Sequence, residues 1–286
     1  MTAESGQGLE RVLVNGIPDQ QVSPFDRALQ FGDGLFETIA CRRRRARFLS
    51  LHLERLRWGC ERLAITGADL DEIRREVLVL ASEVESALIK VLVTRGTALA
   101  RGYGVTGRET ATRITFRSPW PRETGAESQD GIEARTAALR LGENPSLAGL
   151  KHCNRLELVL ARREWTDPAI TEALLFSSSG RLISGTMSNV FIVDSSGLRT
   201  PRLDLCGVAG VMRRVVMREA ARAGIATRED ILDGTDLQKA GEVFVTNARM
   251  GIWPVRAIDG RALPIGAVTR RVQALLQPML EDPTDE

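Results

Sequence analysis

The sequence predicts an α+β protein built as two lobes. Helix-like periodicity and strand-like runs follow one another irregularly, without the βαβ rhythm of a doubly wound sheet. One stretch, "PWPRETGAESQDG" at 119–131, interrupts the chain with Pro, Gly and charge and has no periodicity. The 286 residues, 43% hydrophobic and 27% charged, are enough for one large or two ordinary domains with a buried core. The expected layout is therefore an N-terminal lobe over 1–118, a linker over 119–131 and a C-terminal lobe over 132–286.

In chain order, "RVLVN" at 11–15 reads as a strand ending in a turn. A strand then passes into an amphipathic helix over 51–64, with Leu53, Leu56, Cys60 and Leu63 on one face. "DLDEIRREVLVLASEV" starts on an Asp cap and forms a second helix. "ALIKVLVTRG" and "TRITFRS" read as strands. Beyond the linker come a strand, "IEARTAALRL", and a helix at 154–165. A meander of short strands follows, with S-S-G turns between Glu172 and Pro201. A helix at 209–224, the strand "EVFVTNA" and a closing helix at 267–280 complete the chain. The strands are expected to pair mostly antiparallel, and no internal repeat is visible.

Composition excludes several function classes. A net charge of +2 carries no polyelectrolyte signal, and the run from Arg42 to Arg45 lacks aromatic interleaving. It reads as a solvated hairpin turn, not a nucleic-acid patch. Cys41, Cys60, Cys153 and Cys206 lie far apart without a CxxC pair, as free thiols in a reducing compartment do. With only His52 and His152, a multi-histidine metal site is not expected. The start "MTAESGQGLE" lacks an apolar signal region, and no run is long enough to span a bilayer, so a cytoplasmic protein is expected.

Chemistry enters with "LKHCNRLE" at 150–157. The chain has three lysines, Lys90, Lys151 and Lys239, against 36 arginines. Arginine stays protonated in proteins, whereas a lysine can be held neutral to act as a base or to form a Schiff base. "TPRLDLCGVAGVMRR" places Gly207 and Gly210 just before a helix, where backbone N–H groups can approach an anion. Thr246 and Asn247 end a strand and offer hydroxyl and amide groups, and Arg55 offers a charge. Together a Schiff-base lysine, a phosphate cradle and an arginine suggest pyridoxal phosphate.

The stretches "DRALQFGDGLFETI", "HLERL", "TRGTALARGYG", "NPSLAGLKHCNRLE", "SNVF", "TPRLDLCGVAGVMR" and "VTNARMGIWPV" run in order over about 11–255. In them the chain resembles the aminodeoxychorismate-lyase branch of the fold type IV pyridoxal-phosphate family, which also holds branched-chain and D-amino-acid aminotransferases. The resemblance implies a two-domain fold of the D-amino-acid aminotransferase kind and a homodimer. It implies that Lys151 is the Schiff-base lysine, and that Arg55, Val208, Ala209 and Thr246 hold the cofactor phosphate. Arg95, Arg101 and Asn247 become candidates for the substrate, the arginines for its carboxylates. Thr38 falls where the lyases carry a hydroxyl proposed to protonate the departing enolpyruvate.

One position departs from the family. Where most members place a Glu beside the pyridine nitrogen, five residues before the Asn of "SNVF", this chain has Ser184. A hydroxyl does not keep that nitrogen protonated as a carboxylate does, which speaks against efficient transamination. Glu172 is the alternative acid for that place. An aminotransferase of the same fold and a non-catalytic phosphate-binding protein remain the competing expectations.

Overall fold

The computed structural model describes residues 11–18, 21–99, 101–121 and 125–283; the chain start read above as leaderless lies outside them. Within them the chain divides into two compact units. One holds residues up to Pro121 with His152–Asn154 and the segment from Glu281; the other holds Arg122–Lys151 and Arg155–Leu280.

The first unit contains β1 (Arg11–Val14), α1 (Arg27–Phe31), β2 (Gly34–Arg42), β3 (Arg45–Ala46), α2 (Leu49–Leu63), α3 (Leu70–Ser82), β4 (Ser86–Thr94) and β5 (Thr112–Pro119). Its sheet runs β1-β5-β4-β2-β3, antiparallel throughout. Alternation decides which side is covered. Leu35, Ile39 and Cys41 of β2 and Ala87, Ile89, Val91 and Val93 of β4 join Leu49, Leu53, Leu56, Ile73, Val77 and Leu80 of α2 and α3 in one core. Phe36, Thr38, Leu88, Lys90 and Leu92 point the other way and stay half-buried. Asp69 caps α3, accepting from the Asp71 and Glu72 N–H groups at 3.1 and 3.0 Å. The arginine run turns β2 into β3 with Arg43 and Arg44 at φ 49° and 62°, and Arg42 stacks 3.6 Å over Trp120.

The second unit contains α4 (Ala126–Gln129), β6 (Ile132–Leu141), α5 (Leu156–Arg162), β7 (Ile170–Ser177), β8 (Leu182–Gly185), β9 (Asn189–Asp194) and β10 (Gly197–Pro201). It continues with α6 (Val211–Arg222), β11 (Thr227–Asp230), α7 (Gly234–Lys239), β12 (Glu242–Asn247), β13 (Gly251–Ile258), β14 (Arg261–Ala262) and α8 (Ala267–Glu281). The sheet order is β11-β10-β9-β12-β13-β6-β7-β8, with β14 on β13. The strands pair mostly antiparallel, as expected, but β10–β11, β13–β6 and β6–β7 pair parallel. The signal is the continuous apolar run of β7. Leu174 and Phe176 feed one core and Ala173 and Leu175 another, as in a strand covered on both faces.

The expected linker is also revised. Its second half folds as α4, and the Ser128 carbonyl accepts from Arg270 at 3.0 Å and Gln273 at 2.8 Å, both on α8. Three residues after Lys151 and the described residues from Glu281 belong to the first unit, which sequence-local reasoning does not anticipate. No helix among the described residues is long and apolar enough to cross a membrane.

Candidate active site

In the second unit, Lys151 is half-buried in an irregular segment. The preceding turn pairs with the 207–210 turn: the Gly149 N–H donates to the Gly207 carbonyl, and the Ala209 N–H donates to the Gly149 carbonyl, both at 3.0 Å. That pairing corrects one expectation. The Ala209 N–H is committed to Gly149, and the Val208 carbonyl accepts the Asn189 side-chain amide at 2.9 Å. The Ala209 N–H and the Val208 carbonyl thus help build the turn, and the first N–H groups of the next helix follow one step later. The twelve-residue α6 starts after Gly210 with no side-chain cap. The N–H groups of Val211 and Met212 therefore open its first turn, where the helix dipole favours an anion.

Gly210 is required there: a Cβ would come within 2.0 Å of Asn189 Oδ1. Gly207 adopts φ +88°, a left-handed conformation that favours glycine. Thr246 is fully buried beside Asn189 in the β12–β9 register, and its hydroxyl donates to the Gly251 carbonyl. A lysine and a helix N-terminus without a side-chain cap, reached through the Gly207–Gly210 turn, fit the carbonyl and phosphate ends of pyridoxal phosphate, while the Thr246 hydroxyl is already given to Gly251. Asn189 was absent from the expected site, although it stands in the "SNVF" motif; its amide ties the central strand to the turn.

Asn247 is a structural residue. Its amide donates to the Met187 carbonyl at 3.1 Å, and its carbonyl oxygen accepts the Arg249 and Met250 N–H groups at 3.0 Å. It closes the β12–β13 turn.

Ser184 is buried on β8, and its hydroxyl donates to the Gly185 carbonyl at 2.9 Å. The nearby acid, Glu172, is fully engaged. It accepts the Thr186 N–H at 2.8 Å, the Thr186 hydroxyl, the Ser188 hydroxyl at 2.7 Å and its neighbour's N–H at 2.9 Å. The 185–188 loop is wound around this carboxylate, and a Cβ on Gly185 would sit 2.6 Å from it. Glu172 shapes the loop, and its oxygens are taken by that loop's own donors.

In the first unit, Thr38 stands on the half-buried face of β2, directly opposite Lys90 of β4. The Lys90 ammonium lies 5.0 Å from the Phe36 ring and 5.9 Å from the Phe116 ring. Being one of three lysines was the only sequence signal for Lys90. Arg55 donates to Glu37 through Nε at 2.8 Å and through Nη2, and His52 Nδ1 lies 2.6 Å from the same carboxylate. Burial pushes the Glu37 carboxyl up, but Arg55 and His52 outweigh it and hold it down at about 2.

Arg95 is occupied. It donates to Asp33 at 2.8 and 3.1 Å and to the Leu63 and Ala64 carbonyls at 2.7 Å, which makes it an anchor rather than a substrate contact. Arg101 is exposed on the following loop.

The family profile of amino-transferase class IV matches residues 34–258. An aminodeoxychorismate lyase from Vibrio harveyi is 34% identical over 92% of this chain and 98% of its own length. A putative branched-chain-amino-acid aminotransferase from Methanocaldococcus jannaschii is 32% identical over 89% and 90%. Among solved structures, 4-amino-4-deoxychorismate lyase from Pseudomonas aeruginosa superposes with a TM-score of 0.91 at 40% identity, covering 95% of this chain and all of that one. A branched-chain amino acid aminotransferase of the same fold reaches 0.83 at 24%. With the profile covering most of the chain and its lysine, glycine turn and helix N-terminus in place, this protein belongs to the class IV amino-transferases, the fold type IV enzymes that use pyridoxal phosphate.

Proposed function

We propose that the protein converts 4-amino-4-deoxychorismate to 4-aminobenzoate and pyruvate, a step of folate biosynthesis, as a cytoplasmic homodimer. One observation carries the reading: a lyase of known structure is matched over 95% of this chain and all of its own at 40% identity. Ser184 agrees with it, since a neutral hydroxyl at the ring nitrogen favours a reaction that expels a leaving group over one that needs a long-lived carbanion.

In this reading Lys151 holds the cofactor, together with the first-turn N–H groups of α6. Pyridoxal phosphate supplies a ring that withdraws electrons from the carbon bearing the substrate amine. Lys151 Nζ, as a neutral amine, takes the proton from C4 of the substrate. The C4–H electrons form the last double bond of the aromatic ring as the neighbouring C–O bond breaks. The released enolpyruvate takes a proton at carbon and becomes pyruvate, with the Thr38 hydroxyl as the proposed donor. Arg101 and Lys90 are the cations proposed for the two substrate carboxylates.

Purified protein should absorb in the near-visible and shift on borohydride reduction. Pyruvate release should then exceed amination of keto acids by a wide margin. Keto-acid amination without pyruvate release from aminodeoxychorismate would replace this reading with an aminotransferase, and a protein without the absorbance would replace both.

A further inference from the structure

Arg27 opens α1, yet its side chain is 4% exposed and spends itself on another part of the chain. Its Nε donates to Asp33 at 2.8 Å. Its Nη1 donates to the Gly104 carbonyl at 3.1 Å and its Nη2 to the Tyr103 carbonyl at 3.0 Å. The guanidinium also lies 5.1 Å from the Phe31 ring, and that ring meets Tyr103 edge-on at 5.2 Å. Asp33 is shared with Arg95, so one carboxylate orients both guanidinium groups.

The segment so held has little else to hold it. Residues 101–105 are all exposed, Tyr103 at 82%, and Gly102 takes φ +73°. Past this segment, Glu109 accepts the Thr106 N–H at 2.7 Å and the Gly107 N–H at 2.9 Å, which ties down the next turn without touching 101–105. A loop of exposed, glycine-rich residues with few apolar contacts sits at the low-stability end of a fold. Two charge-assisted bonds from a buried, rigid fork then decide which conformation it keeps.

We propose that Arg27 is a positioning residue for substrate recognition, its buried guanidinium clamping the Tyr103–Gly104 backbone and thereby placing Arg101. The consequence for the substrate rests on the lyase reading above; the clamp itself does not.

Tyr103 is the chain's one tyrosine, so tyrosine-selective ¹³C labelling of the holoprotein gives ring signals from this loop alone. In Arg27→Met these signals should collapse toward those of an unstructured tyrosine, while cofactor absorbance stays as in the wild type. KM for aminodeoxychorismate should rise roughly 10- to 100-fold, the range of a lost charge-assisted hydrogen bond, with kcat changing far less. The Arg27→Met/Arg101→Ala double variant should bind substrate no worse than Arg101→Ala alone. If Arg27→Met does not fold, Arg27→Lys serves, since it keeps a charge beside Asp33 but cannot fork to both carbonyls. It should give intermediate Tyr103 signals and the same KM pattern. Unchanged Tyr103 signals would overturn the clamp, and KM penalties that multiply in the double variant would overturn the route through Arg101. Absence of pyruvate release by the wild type would refute the lyase reading and leave the Tyr103 result to decide the clamp.

Discussion

Arg55 grips Glu37 through two nitrogens, and Glu37 is buried at 1% exposure with His52 on the same carboxylate. Removing one member of a buried pair leaves an uncompensated charge. Arg55→Ala should therefore cost about 3–5 kcal/mol of stability, read from urea unfolding, whatever it does to cofactor affinity. Adding Glu37→Gln should recover part of that loss. A fully stable Arg55→Ala protein that merely binds pyridoxal phosphate weakly would give Arg55 the purely phosphate-binding role that the resemblance implies.

The same cluster sets an acid limit. Glu37 titrates at about 2 in the fold against an ordinary 4.5, so its contribution is complete above 4.5 and is lost as pH falls from there towards 2. That interval should carry ~3 kcal/mol of pH-dependent stability. Unfolding curves measured across it should be flatter for Glu37→Gln than for the wild type; parallel slopes would place the acid sensitivity elsewhere.

Lys151 should carry the cofactor. Borohydride reduction and peptide mapping are expected to find the pyridoxyl group on Lys151, and not on Lys90 or Lys239. Lys151→Arg should lose turnover, because a guanidinium neither forms the bond nor accepts the proton.

Arg95 should behave as an anchor. With four bonds to Asp33, Leu63 and Ala64, Arg95→Ala is expected to lower stability by about 2–3 kcal/mol, the range for hydrogen bonds to charged groups. Any change in KM should be smaller than that from Arg101→Ala. A stable Arg95→Ala variant with the larger KM defect would return Arg95 to the substrate.

Ser184→Glu should raise half-transamination of D-alanine relative to 4-aminobenzoate formation, by strengthening the protonated ring as an electron sink. Glu172→Gln should instead loosen the 185–188 loop and lower stability, since an amide accepts fewer of the bonds that Thr186 and Ser188 make. An unaltered activity ratio in Ser184→Glu, with both activities lost in Glu172→Gln, would move the ring contact to Glu172.

The sequence by itself determined most of the elements and singled out a candidate lysine. Apolar spacing is a local signal, so α2, α3, β4 and β5 fell where periodicity put them, and the scarcity of lysine drew attention to Lys151. Tertiary structure decided which polar groups are already taken. Arg95 and Asn247 are indistinguishable from ligand-binding residues until their partners at Asp33, Leu63, Met187 and Met250 are seen. Ala209 looked available until the 149–151 segment was found to claim its N–H, and the parallel pairing of β6 required strands distant in sequence. Hydrogen-bond capacity is finite and is filled by residues far apart along the chain. A side chain's chemistry can thus be read from sequence, whereas its freedom to act is settled only by the fold.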